Sequence, residues 1–181
     1  QLQGTDDNKT VFYPFSGPDI LSPCIFFPRA EKFLLIGLEP VGSLPSFIGD
    51  GGTEAATTYC DCLKKSLQDV FSFGFFRTPS LARDLHGEEL DGAIHLLLFL
   101  LKRTRHSLVD IKPIRIDDDG QLILYISFEE LNEDTLTNTG AEISIVDPGD
   151  VLKKVYYFSI DLSDKILAKN RGFLRFVENQ G

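Results

Sequence analysis

The chain has 181 residues and a mass of 20.2 kDa, and its net charge of −9 gives a pI near 4.8. That acidity argues against nucleic-acid backbone binding, which needs a basic surface. The longest apolar run, Leu96–Leu101, is far shorter than the roughly 20 residues that cross a bilayer.

An apolar fraction of 43% is enough for a buried core, so the expectation is a single α/β domain over residues 10–181 after a loose, polar terminus at 1–9. No Met is present, hence no initiator, and the chain is expected to be processed or to be the N-terminal part of a longer protein. Three cysteines, Cys24, Cys60 and Cys62, form neither a disulfide framework nor a zinc signature. Cys60 and Cys62 lie two apart on a predicted helix and point to different faces.

Thr10–Phe15 is short, aromatic and β-branched, and predicts a strand broken by Ser16-Gly17-Pro18. Asp19–Phe27 is read as a short helix despite Pro23. Lys32–Leu38 (KFLLIGL) predicts a strand covered on both faces, near the centre of a sheet, ending in Glu39-Pro40-Val41-Gly42. The glycines at 49–52 lack the residues that would grip a phosphate and read as a linker.

Thr53 is placed at the start of a helix reaching about Phe71, with Tyr59, Leu63, Leu67, Val70 and Phe71 on one stripe. Thr78-Pro79 opens a shorter helix ending at Gly87, and Ala93–Arg103 predicts a buried one. The basic run from Lys102 to His106 follows that helix and complements its carbonyl end.

From Leu108 the period falls to two. Val109–Ile116 and Leu122–Phe128 flank an Asp-Gly turn and predict a hairpin. Ala141–Ile145 and Val155–Asp161 continue the alternation, and a last helix begins at Ser163 or Asp161 and is interrupted by Gly172. The fold class is therefore α/β (or α+β): a mixed sheet with an antiparallel meander in the C-terminal half and helices on both faces.

Three strands end in small residues and an acid. If they run parallel, one rim gathers Tyr13, Ser16, Asp19, Glu39, Ser159 and Asp161, with Tyr157 nearby, at the strand ends where α/β sheets take their ligands. Carboxylates there can divide acid and base roles or bind a hard cation. Ser and Asp are also what turns and helix caps require, so both readings stand for Ser16, Asp19, Ser159 and Asp161. Glu39 has no capping role to explain it. Asp91 and His95, four apart at a helix start, are a weaker pair for catalysis or metal, against a packing histidine. His86 and His106 read as loop and helix-end residues. Asp117, Asp119 and Gly120 echo a calcium loop without its later ligands and read as a turn.

The strings YPFSGPDIL (13–21), LLIGLEPVGSLP (34–45), FFRTPS-LARDL (75–85), LDG (90–92) and YYFSIDLSD (156–164) resemble a family of uncharacterised bacterial proteins that often carry an export signal. The resemblance implies a periplasmic or secreted protein that belongs to a longer parent chain or meets a further domain or subunit, and assigns no catalytic residue and no cofactor. Three functions follow as expectations. The first is a binding or structural module recognising a small polar or cell-envelope ligand at the rim. The second is a carboxylate-dependent hydrolase, with or without a metal, using Glu39 with Asp19 or Asp161. The third is an inter-domain or oligomerisation domain.

Overall fold

A computed structural model describes residues 9–14, 17–44, 52–73, 92–133 and 138–180. The elements in chain order are β1 (Thr10–Tyr13), α1 (Leu21–Phe26), β2 (Lys32–Gly37), α2 (Gly52–Phe73), α3 (Ile94–Arg103), β3 (Ser107–Ile116), β4 (Leu122–Leu124), α4 (Phe128–Glu133), β5 (Thr139–Val146), β6 (Leu152–Ser159), α5 (Asp164–Leu167) and α6 (Arg171–Glu178). The strands form one six-stranded mixed sheet, ordered β1-β2-β6-β5-β3-β4. The pairs β1–β2 and β2–β6 are parallel, and the pairs from β6 to β4 are antiparallel.

The pleat sends alternate residues of β2 and β6 into two cores. Phe33, Leu35, Val155 and Tyr157 face one core, with α1, α3 and α4. Leu34, Ile36, Tyr156 and Phe158 face the other, under α6. The continuous apolar runs of both strands follow from this double coverage. Helix α3 is apolar nearly all round for a similar reason. One side meets the sheet through Ile94, Leu97 and Leu101, and another meets α2 through Leu96 against Leu63. Its last turn carries Lys102 and Arg103, as the helix-end reading of the basic run requires.

Backbone and side-chain bonds fasten β6 to β2 at both ends. Lys154 N–H donates to the Glu31 carbonyl at 2.8 Å and Ile160 N–H to that of Gly37 at 2.9 Å. At the lower end the ammonium of Lys153, only 5% exposed, donates to the Pro28 carbonyl at 2.6 Å and pairs with Asp147 at 3.1 Å. A buried cation is tolerable when its hydrogens are matched in this way.

Several sequence expectations change. The KFLLIG strand is interior but lies one place in from the β1 edge, and the central pair is β6–β5. The alternation after the Asp-Gly turn stops at Leu124, so Leu122, Leu124, Ile126 and Phe128 do not continue one strand. Ile126 is 94% exposed, and Phe128 is buried in α4, a helix the alternation hid. Its signal was the capping box in Ser127-Phe128-Glu129-Glu130. The Ser127 hydroxyl accepts from Glu130 N–H at 3.2 Å, and the Glu130 carboxylate accepts from Ile126 N–H at 2.9 Å. The final helix is two helices, because Asn170 starts the second by accepting from Phe173 N–H at 3.2 Å. The helix expected at 78–87 and the glycine linker around 49–51 lie outside the described residues.

Phe158 is the most deeply buried aromatic of the second core, edge-on to Phe176 with centroids 5.4 Å apart and parallel to Tyr156 at 6.4 Å. Phe158→Ala should cost about 3–5 kcal/mol in urea denaturation, and a loss below about 1 kcal/mol would contradict its place in the packing.

Candidate functional site

Strands β1, β2 and β6 run in one direction, so their carboxyl ends share a rim. Gly37 and Ser159 are register partners there, and Gly17 N–H reaches back to the Ile36 carbonyl at 3.2 Å, drawing the chain after β1 over the end of β2. Strand β3 ends at the same side, being antiparallel to β5 as β6 is.

The sequence-predicted residues divide by what their side chains hold. Asp19 is buried, and its Oδ1 accepts from Leu21 and Ser22 N–H at 3.0 and 3.1 Å. Asp161 is exposed, and its Oδ1 accepts from Ser163 N–H at 2.8 Å. Both carboxylates serve the first turns after their own strands. Tyr13 is half-buried and packs on the first core, and Ser159 is half-buried at the rim. Ser16 and Asp91 lie outside the described residues.

Glu39 differs from both aspartates. It is 1% exposed, the most deeply buried carboxyl among the described residues. Burial pushes its pKa up from the ordinary 4.5, and hydrogen bonds from its own N–H, Tyr157 and Leu38 N–H only partly oppose that. The Tyr157 hydroxyl, itself fully buried, lies 2.8 Å from the Glu39 carbonyl and 3.4 Å from its Oε2. A hydroxyl has one hydrogen, and the shorter contact directs it to the carbonyl. A protonated carboxyl can then donate to the hydroxyl oxygen. Burial, with the Glu39 carboxylate close by, holds the Tyr157 phenol well above its ordinary range.

Three glycines let the backbone close here, Gly17 and Gly37 against the pair itself and Gly92 against the loop that follows Glu39. A Cβ at Gly37 would fall 2.5 Å from both Glu39 Oε2 and the Tyr157 hydroxyl. A Cβ at Gly92 would strike the backbone of Val41 and Gly42. The loop after Glu39 is also bonded to the start of α3, with Ala93 N–H on the Pro40 carbonyl at 2.9 Å and Ile94 N–H on that of Val41 at 3.1 Å. Gly17, Gly37, Glu39, Gly92 and Tyr157 therefore converge from four of the strings singled out in the sequence. Sequence reasoning did not isolate Gly37 or Gly92, although a lone glycine in an apolar strand is the usual sign of close approach. The fifth string, at 75–85, lies outside the described residues.

Elsewhere, His95 is buried between α3 and α2, with Nδ1 3.1 Å from the Tyr59 hydroxyl and the ring centroids 5.5 Å apart. His106 Nδ1 is 2.9 Å from the Thr104 hydroxyl. Asp117 Oδ1 accepts from Asp119 and Gln121 N–H at 3.0 and 2.8 Å, so the calcium-like sequence folds as a turn. Among the described residues no three His, Cys, Asp or Glu side chains are grouped to hold a metal ion. The three cysteines are free thiols, and burial pushes that of Cys24 up to about 11, leaving it protonated at neutral pH.

No protein-family profile, curated protein or solved structure matches the chain.

Because the folded pKa of Glu39 lies above the unfolded one, its contribution is fully present below about pH 4.5 and is lost as pH rises through the folded value. Glu39→Gln keeps an acceptor and cannot ionise. Its stability relative to the wild type should therefore increase in urea titrations as pH rises from about 4.5 to the folded pKa of Glu39 and level off above it, whereas a difference constant across this range would show that the fold does not raise the carboxyl pKa.

Proposed function

We propose that the chain is a non-catalytic binding module of an exported bacterial protein, with the strand-end rim of β1, β2 and β6 receiving a small polar or cell-envelope ligand. The observation that carries this reading is how the rim carboxyls are engaged. Asp19 and Asp161 accept from backbone N–H groups of their own turns, and Glu39 is closed in with Tyr157. Carboxyls engaged in this way hold their turns in place, and such pre-organisation lowers the ordering cost of binding.

The groups left to meet a ligand are of the kinds that fix a small polar molecule. Asp161 is exposed and keeps a second carboxylate oxygen, Ser159 and Tyr13 are half-buried, and Leu38 is 52% exposed beside them. The likeness to bacterial proteins with export signals supports placement in the periplasm or outside the cell. A hydrolase has less support, since it would need Glu39 and an aspartate facing each other across an open cleft with their oxygens available.

Amide NMR titrations with envelope sugars, short muropeptides and divalent cations test the proposal. Saturable shifts are expected at Leu38, Ser159, Ile160 and Asp161. The double variant Ser159→Ala, Asp161→Ala should weaken binding about tenfold, equivalent to about 1.4 kcal/mol, while keeping the melting temperature. Silence across the panel, or shifts away from these amides, would count against the rim. Substrate turnover abolished by Glu39→Gln would favour the hydrolase.

A further inference from the structure

The end of the sheet opposite the rim carries an apolar surface beside a cationic one. Ile25, Phe26 and Phe27, at the end of α1, are 73%, 69% and 48% exposed. Leu108 and Val109, at the start of β3, are 52% and 58% exposed, at the point where β3 bulges against β5. These segments are neighbours in space. Lys153 joins the loop after α1 to the β5–β6 turn through Pro28 and Asp147. His106, directly before β3, feels the charges of both Lys153 and Asp147.

Lys102, Arg103 and Arg105 are exposed along the chain leading into that part of β3, and none of them has an ion pair among the described residues. Lys9, Lys112, Lys153, Lys154 and Arg175 are all paired. Of the nearby acids, Asp147 and Asp110 are held by Lys153 and Lys112, and Asp150 is exposed on the β5–β6 turn. Three cations without an ion pair among the described residues therefore stand at this apolar end, while Lys64, Lys65, Lys165, Lys169 and Arg171 also lack one there and lie elsewhere in the chain.

From this juxtaposition we infer that the lower end of the domain is a peripheral membrane-docking surface, which inserts Phe26 and Phe27 at the headgroup boundary of an anionic bilayer. Exposed aromatic and aliphatic side chains bordered by Lys and Arg are what interfacial binding uses. The apolar groups bury at the acyl boundary while the cations meet lipid phosphates. A second copy of the chain fits less well, because a symmetric contact would set the Lys102, Arg103 and Arg105 cations of one copy against those of the other. Docking this way turns the strand-end rim away from the lipid.

Flotation with vesicles of phosphatidylcholine, with and without about 30% phosphatidylglycerol, tests the inference at low and high salt. The intact chain should float with the anionic vesicles, lose binding at high salt, and stay behind with the neutral ones. Phe26→Ser with Phe27→Ser should weaken flotation at least about tenfold. Lys102→Glu with Arg103→Glu should weaken it on the order of fivefold per cation. All four positions are exposed, and thermal melts of the variants check that the fold is kept. Three results would each overturn the inference: failure of the intact chain to float with anionic vesicles, equal flotation of the variants, or a concentration-dependent dimer that the Phe26 and Phe27 substitutions abolish in place of vesicle binding.

Discussion

Strand β6 is hydrogen-bonded on both edges and covered on both faces, and the rest of the fold is organised around that constraint. On one edge it runs parallel to β2 and on the other antiparallel to β5, so it is the seam between two kinds of sheet. Its alternating residues enter both cores, Val155 and Tyr157 on one side and Tyr156 and Phe158 on the other. Two polar groups on the same face finish the seam. Tyr157 holds the loop at the upper end of β2, and Lys153 holds the loop below it. The β1-α1-β2 unit is thus gripped at both ends by one strand from the far end of the chain.

That grip accounts for the unequal behaviour of three acids that look alike as residue types. A carboxylate whose own turn presents N–H groups accepts them, as Asp19 and Asp161 do. Glu39 sits where the chain leaves β2 beneath the loop from Gly17 and against the start of α3, and there burial outweighs solvation. A carboxyl facing a phenol in a closed space is a packing element with a polar surface.

Much of this was legible before any coordinates. The run KFLLIG announced a strand covered on both faces, the alternation at Val155–Asp161 announced another strand, Asp-Gly announced the hairpin, and the condition set for a shared strand-end rim, parallel strands, is met by β1, β2 and β6. What escaped was decided over longer distances. Nothing local says that β6 would take the place beside β2, because residues of similar pattern in β5 were equally available. Period-two alternation through Phe128 hid a helix whose own signal, Ser127 followed by Glu130, lay in capping chemistry instead of hydropathy. The acids could not be sorted by spacing, because turn geometry and the approach of Tyr157 decide their roles. Gly37 was the clue most easily missed, since its absent side chain is informative only once its neighbours are known.

The pairing of Lys32 with Lys154 has a consequence for how the molecule assembles. Closing β2 onto β6 encloses about two thirds of the chain in one loop, the kind of contact that is costly in entropy and forms late. Until it forms, the parallel half offers a bare, strongly apolar edge. The antiparallel half, built from neighbours in sequence, can form first and present β6 as a template. The order in which the sheet closes is therefore the reverse of the order in which a ribosome delivers it, and the KFLLIG segment must wait, exposed, for the strand that will cover it.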